Sequence, residues 1–231
     1  MPTSARTYGQ FCGLARALEI VGERWSLLVV RDLMLGPKRF NDLQRTLPRI
    51  PVSILTSRLN ELEEAGVLRR RVLSQLDAGV VYELTEYGAE LDQIVLDLGL
   101  WGARSLSYPK PDDAFTLDTA IISLYATFQE DAAAGVHLNY ELHHLGGEMI
   151  VHAMVDDGAL KASAGALPDA DLVIEPQGPA LFDLLTGSLS AQEAIDGGKV
   201  RLEGDPAHLD VFTRLFHIPP APERSTGLAL H

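Results

Sequence analysis

Apolar residues recur at helical intervals through the first half of this chain, and at alternate positions through part of the second. Leu14, Leu18 and Val21 share one face of a predicted helix, and Trp25, Leu28, Val29 and Leu33 repeat the pattern beyond Gly22 as a second. That helix ends at Gly36-Pro37, because proline cannot continue a helix and drives its predecessor out of the α region. Phe40, Leu43 and Leu47 predict a short third helix closed by Pro48. A fourth is predicted over residues 51–65, with Pro51 suited to a first helical position and Gly66 to a stop. On it Val52, Leu55, Leu59 and Leu62 form a packing face, and Ser53, Ser57 and Asn60 lie opposite. Strand-like runs over 67–73 and 80–84, joined by residues 75–79, predict a hairpin whose first strand carries Arg69, Arg70 and Arg71.

Residues 105–113 contain Pro109, Pro111 and several polar side chains, the composition of a semi-rigid linker. The expected division is a first domain over 1–108 and a second over 109–231. A helix is predicted over 115–134, with Leu117, Ile121, Leu124, Tyr125 and Phe128 apolar. After Gly135, Val136, Leu138, Tyr140 and Leu142 alternate with His137, Asn139, Glu141 and His143, a half-buried strand. Further strands are expected over 148–155, 160–166, 171–175 and 199–203, with helices over 178–186, 191–196 and 206–216. Strands followed by helices and one late strand predict an α+β domain with helices packed on an antiparallel sheet.

Charge sharpens this division. The 231 residues carry a formal net charge of −13, which taken alone would repel a polyphosphate. Residues 1–110 hold 14 Lys and Arg against 13 Asp and Glu, a net of +1; residues 111–231 hold 5 against 19, a net of −14. Within 24–71, ten basic side chains face five acidic ones. A basic surface is thus joined to a separate acidic module. With 46% hydrophobic and 22% charged residues the chain is globular rather than disordered. No apolar run approaches the roughly 18 residues that span a bilayer, and the first ten residues lack the apolar core of a secretory signal. A cytoplasmic protein with no membrane partner is expected.

A polar-faced helix followed by a basic hairpin is the arrangement that reads DNA. Small side chains let the helix enter the major groove and bond to base edges, while flanking cations meet the phosphates. The residues placed in that role are Ser53, Thr56, Ser57 and Asn60 on the helix, Arg39, Arg49 and Arg58 beside it, and Arg69, Arg70 and Arg71 on the hairpin. Catalytic patterns are weak. Gly197-Gly198-Lys199 lacks the spacing and the Ser/Thr of a phosphate loop, and no serine stands in a nucleophile elbow. His137 and His143 fall on the polar face of one strand while His144 points the other way, so with His152 they are read as solvated or pairing histidines. No catalytic residue, metal or cofactor is expected. The single cysteine, Cys12, has two readings, a small residue at a subunit interface or a redox-reactive thiol.

The motifs Cys12-Gly-Leu-Ala-Arg-Ala-Leu, Gly22-Glu-Arg-Trp25, Arg39-Phe40-Asn-Asp-Leu43, Ile54-Leu-Thr-Ser-Arg58-Leu, Leu62-Glu-Glu-Ala-Gly66 and Tyr82-Glu-Leu-Thr-Glu-Tyr-Gly88 resemble those of HxlR-type winged helix-turn-helix regulators over about residues 10–105. The resemblance implies a mainly α winged helix-turn-helix domain and a homodimeric transcription factor on a two-fold operator, paired through the first and last helices of the domain. Leu91, Ile94, Val95, Leu98 and Trp101 give that last helix an apolar face. At the tip of the wing, where the family usually has proline, this chain has Leu76-Asp77-Ala78. In some relatives a cysteine at the place of Cys12, usually followed by proline, senses electrophiles or oxidants; here Gly13 follows.

The second half resembles the sterol carrier protein 2-like fold through Asp171-Leu-Val-Ile, Leu181-Phe-Asp-Leu-Leu185-Thr-Gly-Ser and Gly197-Gly-Lys-Val-Arg-Leu-Glu-Gly204-Asp205. That implies an α+β shell around an apolar cavity for a small lipid-like ligand, which binds by burying apolar area. Leu181, Phe182, Leu185, Phe212, Leu215 and Phe216 either line such a cavity or form a closed core. Three functions follow: a regulator modulated by a small apolar ligand, a DNA-binding protein whose second domain only interacts or stabilises the dimer, and a lipid carrier.

Overall fold

The computed structural model describes residues 7–73, 79–110 and 112–222. The hairpin tip at Leu76-Asp77-Ala78 and the linker residue Pro111 lie outside the described residues. The chain divides into two units, one ending at Leu96 and the other beginning at Asp97.

The first unit opens with α1 (Gly13–Val21) and α2 (Ser26–Met34), separated by Gly22. The spacing of Leu14 and Leu18 proves to mark an outward face. Both are exposed, and the helix is anchored instead by Ala15 and Val21. A two-residue strand β1 (Lys38–Arg39), not foreseen from the sequence, leads into α3 (Phe40–Thr46), whose start is held by the Arg39 N–H donating to Asp42 Oδ2 at 2.9 Å. Helix α4 (Val52–Glu64) follows, then β2 (Leu68–Val72) and β3 (Val80–Leu84), which give a three-stranded sheet in the order β1-β3-β2. Leu55, Leu59 and Leu62 of α4 are buried as expected, but Val52 is 54% exposed, because it sits at the first helical position, beyond the reach of the core. Val29, Val30, Leu33, Leu43, Ile50 and Leu68 belong to the same core.

Leaving β3, Thr85 caps the single turn α5 (Glu86–Ala89) by accepting from the Gly88 N–H. Its hydroxyl donates back to Gly66 O at 2.6 Å, fixing the hairpin base to the end of α4. Helix α6 (Asp92–Ala103) comes next. Its apolar residues split between two directions: Val95 enters the core with Leu91 packed against it, while Ile94, Leu98 and Trp101 are exposed.

In the second unit α7 (Leu117–Thr127) is shorter than the predicted helix over 115–134. Phe128 turns to extended backbone, bridges Phe216 and meets its ring at a tilt with centroids 5.7 Å apart, and a 3-10 turn over Glu130–Ala133 follows. The sheet runs β6-β5-β4-β7-β8, from strands β4 (His137–His144), β5 (Met149–Asp156), β6 (Ala159–Ala164), β7 (Leu172–Pro176) and β8 (Val200–Gly204). It is mixed, not antiparallel as expected, since β7 lies parallel to β4 with Tyr140 opposite Leu172. The parallel pair arises because residues 165–171 cross from the β6 edge to the far side of β4. Helices α8 (Ala180–Thr186) and α9 (Ala191–Asp196) precede β8, and α10 (Ala207–Leu215) closes the unit. Tyr140, Phe212 and Phe216 meet edge-on or tilted at 4.7–6.4 Å between sheet and helix.

Candidate nucleic-acid interface

Helix α4 presents a polar face because its apolar residues are drawn inward. Ser53, Thr56 and Asn60 are exposed and Ser57 is half-buried. Local bonds fix several of them: the Thr56 hydroxyl donates to Val52 O at 2.9 Å, and the Ser57 hydroxyl to Glu61 Oε1 at 3.1 Å. Arg58, expected among the phosphate-facing cations, is largely withdrawn from solvent. Its Nη2 donates to Glu61 Oε1 at 3.0 Å, and its Nη1 lies 3.5 Å from Glu23.

The hairpin is fastened to this helix through its own basic residues. Arg70 Nη2 donates to Asn60 Oδ1 at 2.5 Å and pairs with Glu63 at 2.7 Å, while its guanidinium lies over the Tyr82 ring. Arg69 and Arg71 bond through their Nε atoms to the two oxygens of Glu83, at 2.8 and 2.9 Å. Those bonds, from Arg69 first and then Arg71, hold the Glu83 carboxyl below its ordinary pKa, so it stays ionised and keeps both guanidiniums in place. Arg39 and Arg49 are exposed at the start of α3 and just before α4. Sequence reasoning missed Glu63 and Glu83, whose part depends on which strand faces which, and it missed Trp25, whose left-handed backbone (φ 82°) no local pattern announces.

The candidate residues of the second unit do not converge. Phe212, Leu215 and Phe216 are fully buried in the aromatic core with Tyr140. Leu181, Phe182 and Leu185 are half-buried on α8. Phe182 lines a surface pocket of about 390 Å³ with Leu106, Tyr108, Asp183 and Ile218, where the Tyr108 hydroxyl donates to Asp183 Oδ1 at 3.0 Å. The histidines are scattered too: His137 pairs with Asp156, His143 with Glu141, His152 with Gly165 O, and His144 packs edge-on against Phe115. Among the described residues no group of three or more His, Cys, Asp or Glu could hold a metal ion, and no helix is long and apolar enough to cross a membrane. Cys12 is exposed at the N-cap of α1.

The chain matches the HxlR-like helix-turn-helix family over residues 20–109. It is similar to the HTH-type transcriptional regulator YtcD of Bacillus subtilis (strain 168), at 36% identity over 106 residues, covering 46% of this chain and 84% of that protein. It is also similar to the HTH-type transcriptional regulator YodB of the same organism, at 38% identity over 85 residues, covering 37% of this chain and 76% of the relative. Among solved structures, the redox regulator HypR in its oxidised form is 35% identical, covering 42% of this chain and 99% of that one, with a TM-score of 0.40.

Proposed function

This chain belongs to the HxlR-like helix-turn-helix family of DNA-binding transcriptional regulators, and on that premise we propose that it binds a two-fold operator as a homodimer, α4 entering the major groove and the β2–β3 hairpin meeting the flanking backbone. The observation that carries this reading is the arginine hairpin bound directly to α4 through Asn60 and Glu63, which holds cations beside a polar helical face. Ser53, Thr56 and Asn60 are the base-edge candidates. Arg39, Arg49, Arg69, Arg70 and Arg71 are phosphate candidates, and Ser57 and Arg58 act from behind through Glu61.

In the same reading the second unit is an effector module of sterol-carrier-like type, taking a small apolar ligand. Its support is the helix-covered mixed sheet together with the half-buried apolar side chains on α8. A ligand shifts the operator affinity only if it binds the DNA-competent and incompetent states unequally, typically by about 1–3 kcal/mol.

The test replaces Ser53, Thr56 and Asn60 together by alanine and compares the affinity for a duplex selected from a random pool with that for a scrambled one. Loss of most of the discrimination is expected, at about 1–3 kcal/mol per base contact. Unchanged discrimination overturns the assignment of α4. For the second unit, operator affinity is measured with and without saturating oleate, and an affinity that does not move removes the effector role.

A further inference from the structure

A concave site of about 380 Å³ lies beside the recognition helix, lined by Glu23, Arg24, Trp25, Arg49, Pro51, Ile54 and Arg58. It gathers three guanidiniums around one apolar floor. The Arg24 guanidinium carbon lies 5.2 Å from the centroid of the Trp25 ring, which holds that cation at the rim. Arg58 forms the inner wall, with its Nε buried and without a hydrogen-bond partner among the described residues. Glu23 supplies a carboxylate 3.5 Å from Arg58 Nη1.

Two helix starts add to the positive field. Trp25 is the N-cap of α2 and Pro51 the N-cap of α4; neither helix has a side-chain cap or an acidic residue in its first turn. The leading amides of such helices favour an anion. Trp25 has a left-handed backbone, unusual for a bulky residue, and both it and Arg24 line this pocket.

We propose that this pocket seats a backbone phosphate of the bound duplex, making Arg24 and Trp25 part of the DNA interface. A phosphodiester suits the site in both its parts: the oxyanion meets Arg24 and Arg49, and the apolar face of the adjoining deoxyribose meets Trp25, Pro51 and Ile54. In the free protein Glu23, at 3.5 Å, adds its negative charge to that of Glu61, which lies 2.7 Å from Arg58 Nη1. The duplex competes with the Glu23 carboxylate when it docks. The inference rests on the DNA-binding reading above and adds a fixed anchor at the start of the recognition helix, which sets its depth and register in the groove.

The salt dependence of binding by the full chain to a selected duplex tests it. Arg24→Gln is expected to lower the slope of log K against log salt by about 0.9 per protomer, the release associated with one phosphate contact. Arg24→Lys keeps the wild-type slope, and Glu23→Gln raises affinity several-fold. Arg214→Gln, an exposed arginine on α10 of the second unit, leaves the slope unchanged. A wild-type slope for Arg24→Gln overturns the proposal, as does an unchanged or weakened affinity for Glu23→Gln. If the wild-type chain retains no duplex from the pool, the DNA-binding reading itself fails, and that result is distinct from either of these.

Discussion

Glu141 is a carboxylate on the sheet face turned away from the aromatic core, yet it is 7% exposed. Its two oxygens explain the position. One bonds His143 Nε2 at 2.5 Å and the other accepts the Leu167 N–H at 2.5 Å, pinning the crossing segment that makes β7 parallel to β4. Burial alone would raise its pKa, but the bonds from His143 and from the Leu167 amide outweigh it and hold the carboxyl below 4.5. A depressed folded pKa means that the ionised form favours the folded state. The contribution is complete above the unfolded pKa and is lost as pH falls through the lower folded value. Glu141→Gln should therefore cost the second unit about 1–3 kcal/mol at neutral pH. Denaturation followed across pH should show the gap to wild type narrowing below pH 4.5; a gap independent of pH would mean that the charge is not what holds the loop.

Elements were legible where one periodicity governs them and illegible where long-range pairing does. The fourth helix followed from Pro51, Gly66 and the Leu55-Leu59-Leu62 spacing, and the structure gives Val52–Glu64. The two-residue strand at Lys38–Arg39 was not foreseen, because it exists only through pairing with β3. The run from 115 to 134 looked like one helix because Phe128 keeps the apolar period, although it leaves the helix to join Phe216 across the unit. Of the candidate site, the polar residues of α4 and the hairpin arginines were readable; the carboxylates that hold those arginines were not. Asp32 was equally hidden. It is fully buried on α2, takes two bonds from Arg31 at 2.8 and 2.7 Å, and accepts the Thr46 hydroxyl of α3 at 2.5 Å. Asp32→Ala would leave Arg31 and Thr46 without that acceptor, and chemical denaturation should show a loss of about 2–3 kcal/mol. Gly88 has a different constraint: a Cβ there would fall 1.9 Å from Val67 O, in the backbone at the foot of the hairpin. Gly88→Ala should destabilise the first unit by about 1–3 kcal/mol and weaken duplex binding by displacing the hairpin; an unshifted melting curve would count against that packing.

At the scale of the molecule, large apolar side chains are left in water near the start of the chain and along α6. Phe11, Leu14 and Leu18 at the start of the chain are exposed, and so are Ile94, Leu98 and Trp101, spaced by four and three residues along one side of α6. An exposed apolar side of a helix is what another protein covers, and in the proposed dimer a second copy of the chain covers that of α6. Pairing also answers a problem of charge. A chain at net −13 overall approaches DNA through a basic region with a small surplus, so one protomer gains few phosphate contacts, while a two-fold pair would double them. Replacing Ile94 and Leu98 together by glutamate puts four like charges across the symmetric interface. Sedimentation should then report a monomer at concentrations where the wild type is dimeric. Affinity for the two-fold operator should fall by at least tenfold while affinity for an isolated half-site stays the same. If the double variant remains dimeric and keeps full operator affinity, the exposed side of α6 has some other use and the pairing must run through a different face.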